Sequence, residues 1–179
     1  VRRAGFGTDW LYELKGKFES AYADKGYKVL LVDIDAQGNA TSGVGIAKKN
    51  LKRSVKDLLL PDLESGISLE GLTTSTVIET EFNNLSVIPS TIALAGAEFD
   101  LFSTQGSEYA LRKAINLIRD DYDYIIIDCP PSLGMLTINA LAAADRIIIP
   151  VQAEYLPAKG LEQLLYTVSK VRRQINPDL

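Results

Sequence analysis

The chain has 179 residues, a length typical of one α/β domain, and its net charge of −4 predicts no overall field that attracts nucleic acid. It contains no histidine and one cysteine, which excludes Ser-His-Asp catalysis, histidine-ligated metal sites and a disulfide framework. We find no signal peptide and no apolar run long enough to span a bilayer, so we expect a soluble cytoplasmic protein.

The N-terminal residues are the least informative part of the chain. Apolar residues at Leu11, Leu14, Phe18 and Tyr22 have helical spacing, and Gly26 can end that helix. The residues before this helix lack the apolar run of a buried strand. We therefore expect a loop or a disordered terminus there.

An apolar run rich in β-branched residues leads from Lys28 into two aspartates that are one residue apart, Asp33 and Asp35. Such a run predicts a strand that is buried on both faces of a parallel sheet. Both aspartates then lie at or just beyond its carboxyl end, the edge where open α/β sheets bind ligands. Because buried carboxylates need a cation, a donor or water, the pattern favours a binding site over a solvated strand end.

The middle of the chain alternates between polar and apolar segments. Gly38 to Gly45 is rich in Gly, Thr, Ser and Asn and predicts a surface loop. Within Lys48 to Glu70 we expect one short helix that ends at Pro61. Leu85 to Pro89 predicts a short strand, and Thr104 to Arg119 predicts an amphipathic helix. The apolar face of that helix consists of Ala110, Leu111, Ala114, Ile115 and Ile118.

The last third of the chain repeats the alternation. Tyr124 to Asp128 predicts a second buried strand that ends in aspartate, and a helix follows through Leu136 to Ala144. Arg146 to Val151 predicts a third apolar strand. The last helix has apolar residues at a period of 3.6: Leu161, Leu164, Leu165, Val168 and Val171. Strands alternating with such helices predict an α/β fold with a mostly parallel, doubly wound sheet.

Asp128 follows four apolar residues, Tyr124 to Ile127, which is the form of a Walker B motif. A carboxylate in that position holds Mg²⁺ through a coordinated water, because magnesium sheds its hydration shell reluctantly. Many parallel strands also end in aspartate for capping reasons. The pattern by itself leaves a metal ligand and a structural cap equally open.

Three stretches taken together closely resemble the ParA/Soj family of chromosome- and plasmid-partitioning ATPases. They are Lys28 to Gly45 (KVLLVDIDAQGNATSGVG), Ile88 to Leu101 (IPSTIALAGAEFDL) and Tyr122 to Gly160 (YDYIIIDCPPSLGMLTINALAAADRIIIPVQAEYLPAKG). The resemblance covers the chain from about Ala23 to its end. It implies an incomplete P-loop NTPase-like fold with three αβα layers. Residues 1–25 are then a divergent segment in place of the P-loop region, and residues 26–179 are a ParA-like ATPase domain truncated at its C-terminus.

The resemblance also implies roles for particular residues. Asp35 corresponds to the catalytic Walker A′ aspartate that orients the attacking water, and Asp33 is its cofactor-binding neighbour at the switch. Asp128 matches the Walker B aspartate that holds the metal, and Pro130 and Pro131 match the switch that follows it.

The family's ligands and partners follow from the same resemblance. The family binds ATP with Mg²⁺, forms a homodimer with nucleotide at the interface, and binds DNA without sequence preference. A ParB-type partner stimulates its ATP hydrolysis. The resemblance therefore implies a cytoplasmic protein that associates with the nucleoid, and it gives no support for a membrane role.

The phosphate-binding loop of the family, KGGVGKTT, does not occur in the sequence. Gly38 and Gly43 have P-loop spacing, but Val44 follows where a lysine is required. Asp35 and Asp128 then face a polyphosphate with no lysine between them. One such like-charge contact at about 4 Å costs roughly 4 kcal/mol at an effective dielectric of about 20. We expect this chain to bind ATP weakly or not at all.

Two interpretations stay open. In the first, the chain is a truncated or frame-damaged partitioning ATPase. Codons for Gln-Lys-Gly-Gly read one nucleotide later can encode Arg-Arg-Ala-Gly, which is the sequence from Arg2 to Gly5. In the second, the chain is a nucleotide-free binding module that pairs with an intact ATPase. The retained Asp35 and Asp128 favour the first, because such a module has no physical need for them.

Overall fold

The fold is built on a four-stranded sheet. The computed structural model describes residues 26–62, 64, 66–130, 132–149 and 158–179. Its strands are β1 (Val29–Asp33), β2 (Ile78–Glu79), β3 (Leu85–Ile88) and β4 (Tyr124–Asp128), in the spatial order β2-β3-β1-β4. β1 pairs in parallel with β3 and with β4, and β2 pairs antiparallel with β3. The prediction of a mostly parallel α/β sheet is confirmed.

Helices connect and cover these strands. They are α1 (Asn39–Gly43), α2 (Val55–Leu59), α3 (Leu69–Thr76), α4 (Leu94–Ser103), α5 (Ala110–Asn116), α6 (Met135–Ala143) and α7 (Ala158–Gln174). Short 3₁₀ turns lie at Lys48–Asn50, Ser107–Tyr109 and Arg119–Asp121. α3 and α4, which the sequence analysis did not predict, lie in the stretches on either side of β3.

The central strand β1 has its side chains divided between two apolar clusters. All five of its residues are buried, as predicted. Because successive side chains of a strand point to opposite faces, Leu30 and Val32 belong to the larger cluster, and Val29 and Leu31 belong to the smaller one. Helices α2, α4, α5 and α6 contribute to the larger cluster, whereas α1 contributes Ala40 to the smaller one.

The prediction of a surface loop over Gly38 to Gly45 is wrong, because α1 lies within it. The backbone of Gly38 is left-handed, with φ of 61°, and turns the chain into this helix. Hydrogen bonds from Thr41 to the Asp33 carboxylate then hold the helix against β1. These long-range bonds outweigh the weak helix propensity of Gly, Ser, Thr and Asn.

Two other boundaries differ from the predictions. The helix predicted over Thr104 to Arg119 begins later, because Gly106 is left-handed (φ 77°) and a 3₁₀ turn precedes α5. Its apolar face is confirmed, since Leu111, Ala114, Ile115 and Ile118 are buried.

The predicted strand over Arg146 to Val151 is wrong for its described residues, 146–149, which pair with no described strand. Ile148 is 89% exposed. β4 is a strand as predicted, but it lies at the edge of the described sheet and is only half-buried. A strand needs a ladder of backbone hydrogen bonds, and residues 146–149 make none with a described strand. β4 therefore has a described partner on one side only and is more exposed than β1.

The remaining predictions are partly testable. The short helix near Val55, the strand at Leu85, the helix through Leu136 and the last helix are confirmed as α2, β3, α6 and α7. The helix expected from Leu11 to Tyr22 lies outside the described residues. Across the described ranges, no helix combines the length and the apolar character that a membrane span requires.

Candidate functional site

The two aspartates that end β1 and β4 lie side by side. The parallel register pairs Asp33 with Asp128, and the ladder continues one residue further, where the Ile34 N–H donates to the Asp128 carbonyl oxygen at 3.0 Å. Asp35 follows directly. The structure therefore brings the three predicted carboxylates to one edge of the sheet, which is the carboxyl edge where α/β folds bind ligands.

The Asp33 carboxylate is completely buried and accepts three hydrogen bonds. Its Oδ2 accepts from the Thr41 N–H and from the Thr41 hydroxyl, both at 2.7 Å, and its Oδ1 accepts from the Asp35 N–H at 3.1 Å. Burial raises the pKa of Asp33, while the hydrogen bonds from Thr41 and Asp35 oppose the shift. Asp33 thus joins the end of β1 to the start of α1.

Ser90 extends this network to the end of β3. The Ser90 N–H donates to the Thr41 hydroxyl at 2.9 Å, and the same hydroxyl donates to the Asp33 carboxylate. Thr41 therefore links the segment after β3 to the end of β1. Ser90 is completely buried, and its own hydroxyl oxygen has no hydrogen-bond partner in the described part of the chain. The edges of β1 and β3 are therefore fixed to each other by side-chain bonds as well as by the sheet ladder.

Asp35 lies in a tight turn and is half-buried. Its Oδ1 accepts from the Gln37 N–H at 3.0 Å, and its carbonyl oxygen accepts from the Gly38 N–H at 2.8 Å. Lys48 closes the other side of the turn, since its ammonium donates to the Gln37 carbonyl at 2.7 Å and to the Gly38 carbonyl at 3.2 Å. The turn is thus held from two sides.

Asp128 differs from Asp33 in its hydrogen bonding within the described part of the chain. Only 8% of the residue is exposed, yet the described residues supply no hydrogen bond to its carboxylate. Burial raises the pKa of Asp128 to about 7, and the negative charges of Asp33 and Asp35 add to the shift. A buried carboxylate in this state favours either a proton or a cation.

The residues after β4 form the remaining side of the edge. Burial, together with the charge of Asp128, raises the pKa of the Cys129 thiol to about 12, so this thiol is no nucleophile at neutral pH. Pro130 is half-buried, and Pro131 lies outside the described residues. The Ser132 carbonyl accepts from the Thr137 hydroxyl at 2.5 Å, which ties this segment to α6.

Three residues of the site were missed by the sequence analysis: Thr41, Lys48 and Ser90. Thr41 lies 8 residues after its partner Asp33, and Lys48 lies 10 residues after its partner Gly38. Ser90 lies 49 residues after its partner Thr41. Thr41 lies in a segment whose composition predicts a surface loop, and Lys48 lies in a charged segment whose composition predicts a solvated surface. The sequence holds no local signal for any of them.

A family model described as an AAA domain matches residues 16–179. The chain is 51% identical over 154 residues to the sporulation initiation inhibitor protein Soj of Bacillus subtilis (strain 168), covering 86% of this chain and 58% of that protein. It is 46% identical over 152 residues to the chromosome partitioning protein ParA of Myxococcus xanthus (strain DK1622), covering 85% of this chain and 51% of that protein. The chain therefore spans between half and three fifths of these relatives.

The fold also has close counterparts among solved structures. The crystal structure of cobyrinic acid a,c-diamide synthase from Mycobacterium smegmatis, with bound ATP analog and magnesium, superposes with a TM-score of 0.83 at 38% identity. That match covers 97% of this chain and 67% of the other. The three-layer αβα arrangement expected from the resemblance is thereby confirmed.

Proposed function

The chain belongs to the AAA-domain family of ParA- and Soj-type partitioning ATPases, and we propose that its acidic sheet edge is the carboxylate half of a Mg·ATP site. The observation that carries the proposal is the register of Asp33 with Asp128, with Asp35 directly beyond. The three carboxylates occupy one edge although 93 residues separate Asp35 from Asp128.

Asp128 has the chemistry of a magnesium ligand in this proposal. Its largely buried carboxylate receives no hydrogen bond from the described residues, and a bound cation compensates such a charge. Within the described ranges, no three Asp, Glu, His or Cys side chains form a metal cluster. A cation here therefore takes its other ligands from water and phosphate oxygens, as Mg²⁺ commonly does.

Asp35 is the residue we assign to the attacking water. Its Oδ1 accepts from the backbone of its own turn, which fixes the carboxylate and leaves Oδ2 for a solvent molecule. Asp35 is half-buried, so water reaches it, whereas the Asp33 carboxylate is enclosed and already holds three donors. We therefore assign Asp33 to holding the sheet edge together through its hydrogen bonds, and Asp35 to contact with the reacting water.

We propose that this chain lacks the phosphate-binding half of the site. KGGVGKTT does not occur among its 179 residues. The Lys48 ammonium already donates to two carbonyl oxygens of the turn that follows Asp35. Without the lysines of that loop, the acidic edge meets a polyphosphate with less compensating positive charge, which predicts weak Mg·ATP binding by the chain as given.

The wider function is proposed from the relatives. The proteins at 51% and 46% identity are named for sporulation control and chromosome partitioning, and we favour that role over the synthase role of the structural neighbour at 38% identity. We propose that the whole protein acts in the cytoplasm, forms a nucleotide-dependent homodimer, binds DNA without sequence preference and responds to a ParB-type partner. The alternative, a nucleotide-free module that pairs with an intact ATPase, follows if the phosphate loop is truly lost.

The test begins with the encoding DNA, read through and upstream of the codon for Val1 in all three frames. An adjacent frame that encodes a strand followed by KGGVGKTT supports a damaged ATPase. The frame-repaired protein should then hydrolyse Mg·ATP in the presence of DNA, and its Asp35→Ala and Asp128→Ala variants should not. A repaired protein without ATPase activity contradicts the proposed function. If no frame encodes the loop, the binding-module alternative replaces it.

A further inference from the structure

Lys48 lies at the acidic edge, and the motifs do not explain its contacts. It begins the 3₁₀ turn Lys48–Asn50, and its half-buried side chain reaches back over the turn that follows Asp35. Its ammonium donates to the carbonyl oxygens of Gln37 at 2.7 Å and of Gly38 at 3.2 Å. Two carbonyls on one ammonium are a specific contact, because a solvated lysine has no reason to hold both.

The space above Gly38 is shaped around this lysine. A Cβ at position 38 would lie 2.9 Å from Lys48 Cδ, 3.1 Å from the Ser90 carbonyl oxygen and 3.2 Å from Lys48 Nζ. The left-handed backbone of Gly38 independently favours glycine. The lysine stem therefore fills the volume that any other side chain at position 38 would need.

The two carbonyls that Lys48 holds belong to the turn that orients Asp35. The Gln37 N–H donates to Asp35 Oδ1, and the Gly38 N–H donates to the Asp35 carbonyl oxygen. Lys48 thus binds the carbonyl side of the same two residues whose N–H groups contact Asp35. A displacement of these residues moves the donor to the Asp35 carboxylate.

We propose that Lys48 is a positioning residue that fixes the turn from Asp35 to Gly38 and thereby the rotamer of the Asp35 carboxylate. The catalytic consequence rests on the proposed function, because Asp35 matters for turnover only if the protein hydrolyses ATP. The proposed effect of Lys48 on the Asp35 rotamer does not depend on bound nucleotide. It predicts one defined Asp35 rotamer in the chain as it exists.

The test uses isotope-labelled full chain in the absence of nucleotide. Three-bond couplings of the Asp35 Cγ report the rotamer, and amide hydrogen exchange reports the opening of the turn. In Lys48→Met we expect rotamer averaging at Asp35 and an increase of about tenfold in exchange at Gln37 and Gly38, since hydrogen bonds from a charged donor are lost. Exchange in β1 should stay unchanged.

Two variants separate this positioning role from a general loss of structure. Lys48→Arg should restore the couplings, because a guanidinium can also donate to both carbonyls. Lys49→Met is the matched control, since Lys49 is the exposed neighbour and should leave Asp35 unaffected. Unchanged Asp35 couplings in Lys48→Met, or equal effects of Lys48→Met and Lys49→Met, would overturn the proposal. Because no measurement includes ATP, failure of the proposed function leaves these results intact.

Discussion

Asp33 and Asp128 occupy equivalent positions on neighbouring strands, yet their surroundings are opposite. Asp33 is enclosed and accepts three hydrogen bonds from Thr41 and Asp35. Asp128 is nearly as buried, and its carboxylate receives no donor from the described residues. An aspartate at the end of a strand can therefore either hold the site together or remain available to a ligand. The hydrogen-bond donors around the carboxylate separate the two roles.

The pH dependence of stability tests what this comparison implies for Asp128. We expect it to give the largest change in the free energy of unfolding. A pKa of about 7 in the folded protein, against an ordinary value of 3.8, means that folding favours the protonated form. This contribution to stability is complete below pH 3.8 and is lost as the pH rises through about 7. The shift corresponds to a loss on the order of 4 kcal/mol.

Asp128→Asn should remove that loss, because an amide does not titrate. Urea unfolding across this pH range, without divalent cations, measures the difference between parent and variant. We expect the variant to be the more stable protein above neutral pH and to resemble the parent in acid. Asp100→Asn, on the exposed surface of α4, is the control. Parallel stability curves for the parent and Asp128→Asn would contradict the account.

Asp33→Ala tests the other half of the comparison. The substitution leaves the N–H and the hydroxyl of Thr41 without their acceptor in a buried place. We expect a loss of about 3 kcal/mol in the free energy of unfolding, after relief of carboxylate burial offsets part of the cost. Denaturant unfolding measures it. A loss below about 0.5 kcal/mol would mean that Asp33 does not hold α1 to β1.

Thr41→Val removes the hydroxyl that joins Asp33 to Ser90 while keeping the shape of the side chain. We expect a loss of about 2 kcal/mol, because the buried Ser90 N–H loses its acceptor and Asp33 loses one donor. Ser42→Ala is the matched control. Its exposed hydroxyl donates to the Gly38 carbonyl, and its loss should cost less than about 0.5 kcal/mol. Equal losses for both variants would argue against the network.

Asp35→Ala should have the smallest effect on stability. Its carboxylate accepts one hydrogen bond, from the Gln37 N–H in a half-exposed turn, so we expect a loss below about 1 kcal/mol. Thermal and denaturant unfolding check this value. A cost as large as that of Asp33→Ala would show that Asp35 also builds the edge, and the division of roles between the two residues would then fail.

The sequence predicted the parts of the fold that depend on local pattern. β1 and β4 are apolar runs that end in aspartate, α5 and α7 have apolar residues at helical spacing, and α6 is a mostly apolar segment, so one window reveals each of them. The two aspartate-tipped strands were expected at one sheet edge because parallel strands share their carboxyl ends. That expectation needed no knowledge of side-chain partners.

The parts that could not be predicted depend on contacts between distant residues. α1 is stabilised by Asp33, which precedes Thr41 by 8 residues, and the role of Ser90 depends on a partner 49 residues away. Arg146 to Ile149 have the composition of a strand, but composition alone does not determine pairing, which depends on tertiary context. For the same reason, the sequence could not distinguish the hydrogen-bonding surroundings of Asp33 from those of Asp128, since each aspartate follows a run of four apolar residues.

If the chain holds the carboxylate half of a Mg·ATP site without the phosphate-binding half, as we propose, it should bind Mg·ATP weakly or not at all. Isothermal titration of the full chain with Mg·ATP tests it directly, with Asp128→Ala titrated in parallel. The account predicts no saturable binding at micromolar nucleotide for the chain as given. Saturable binding at micromolar nucleotide would contradict this expectation, because the phosphates would then be held by residues other than the missing loop, and its loss in Asp128→Ala would show that the acidic edge takes part.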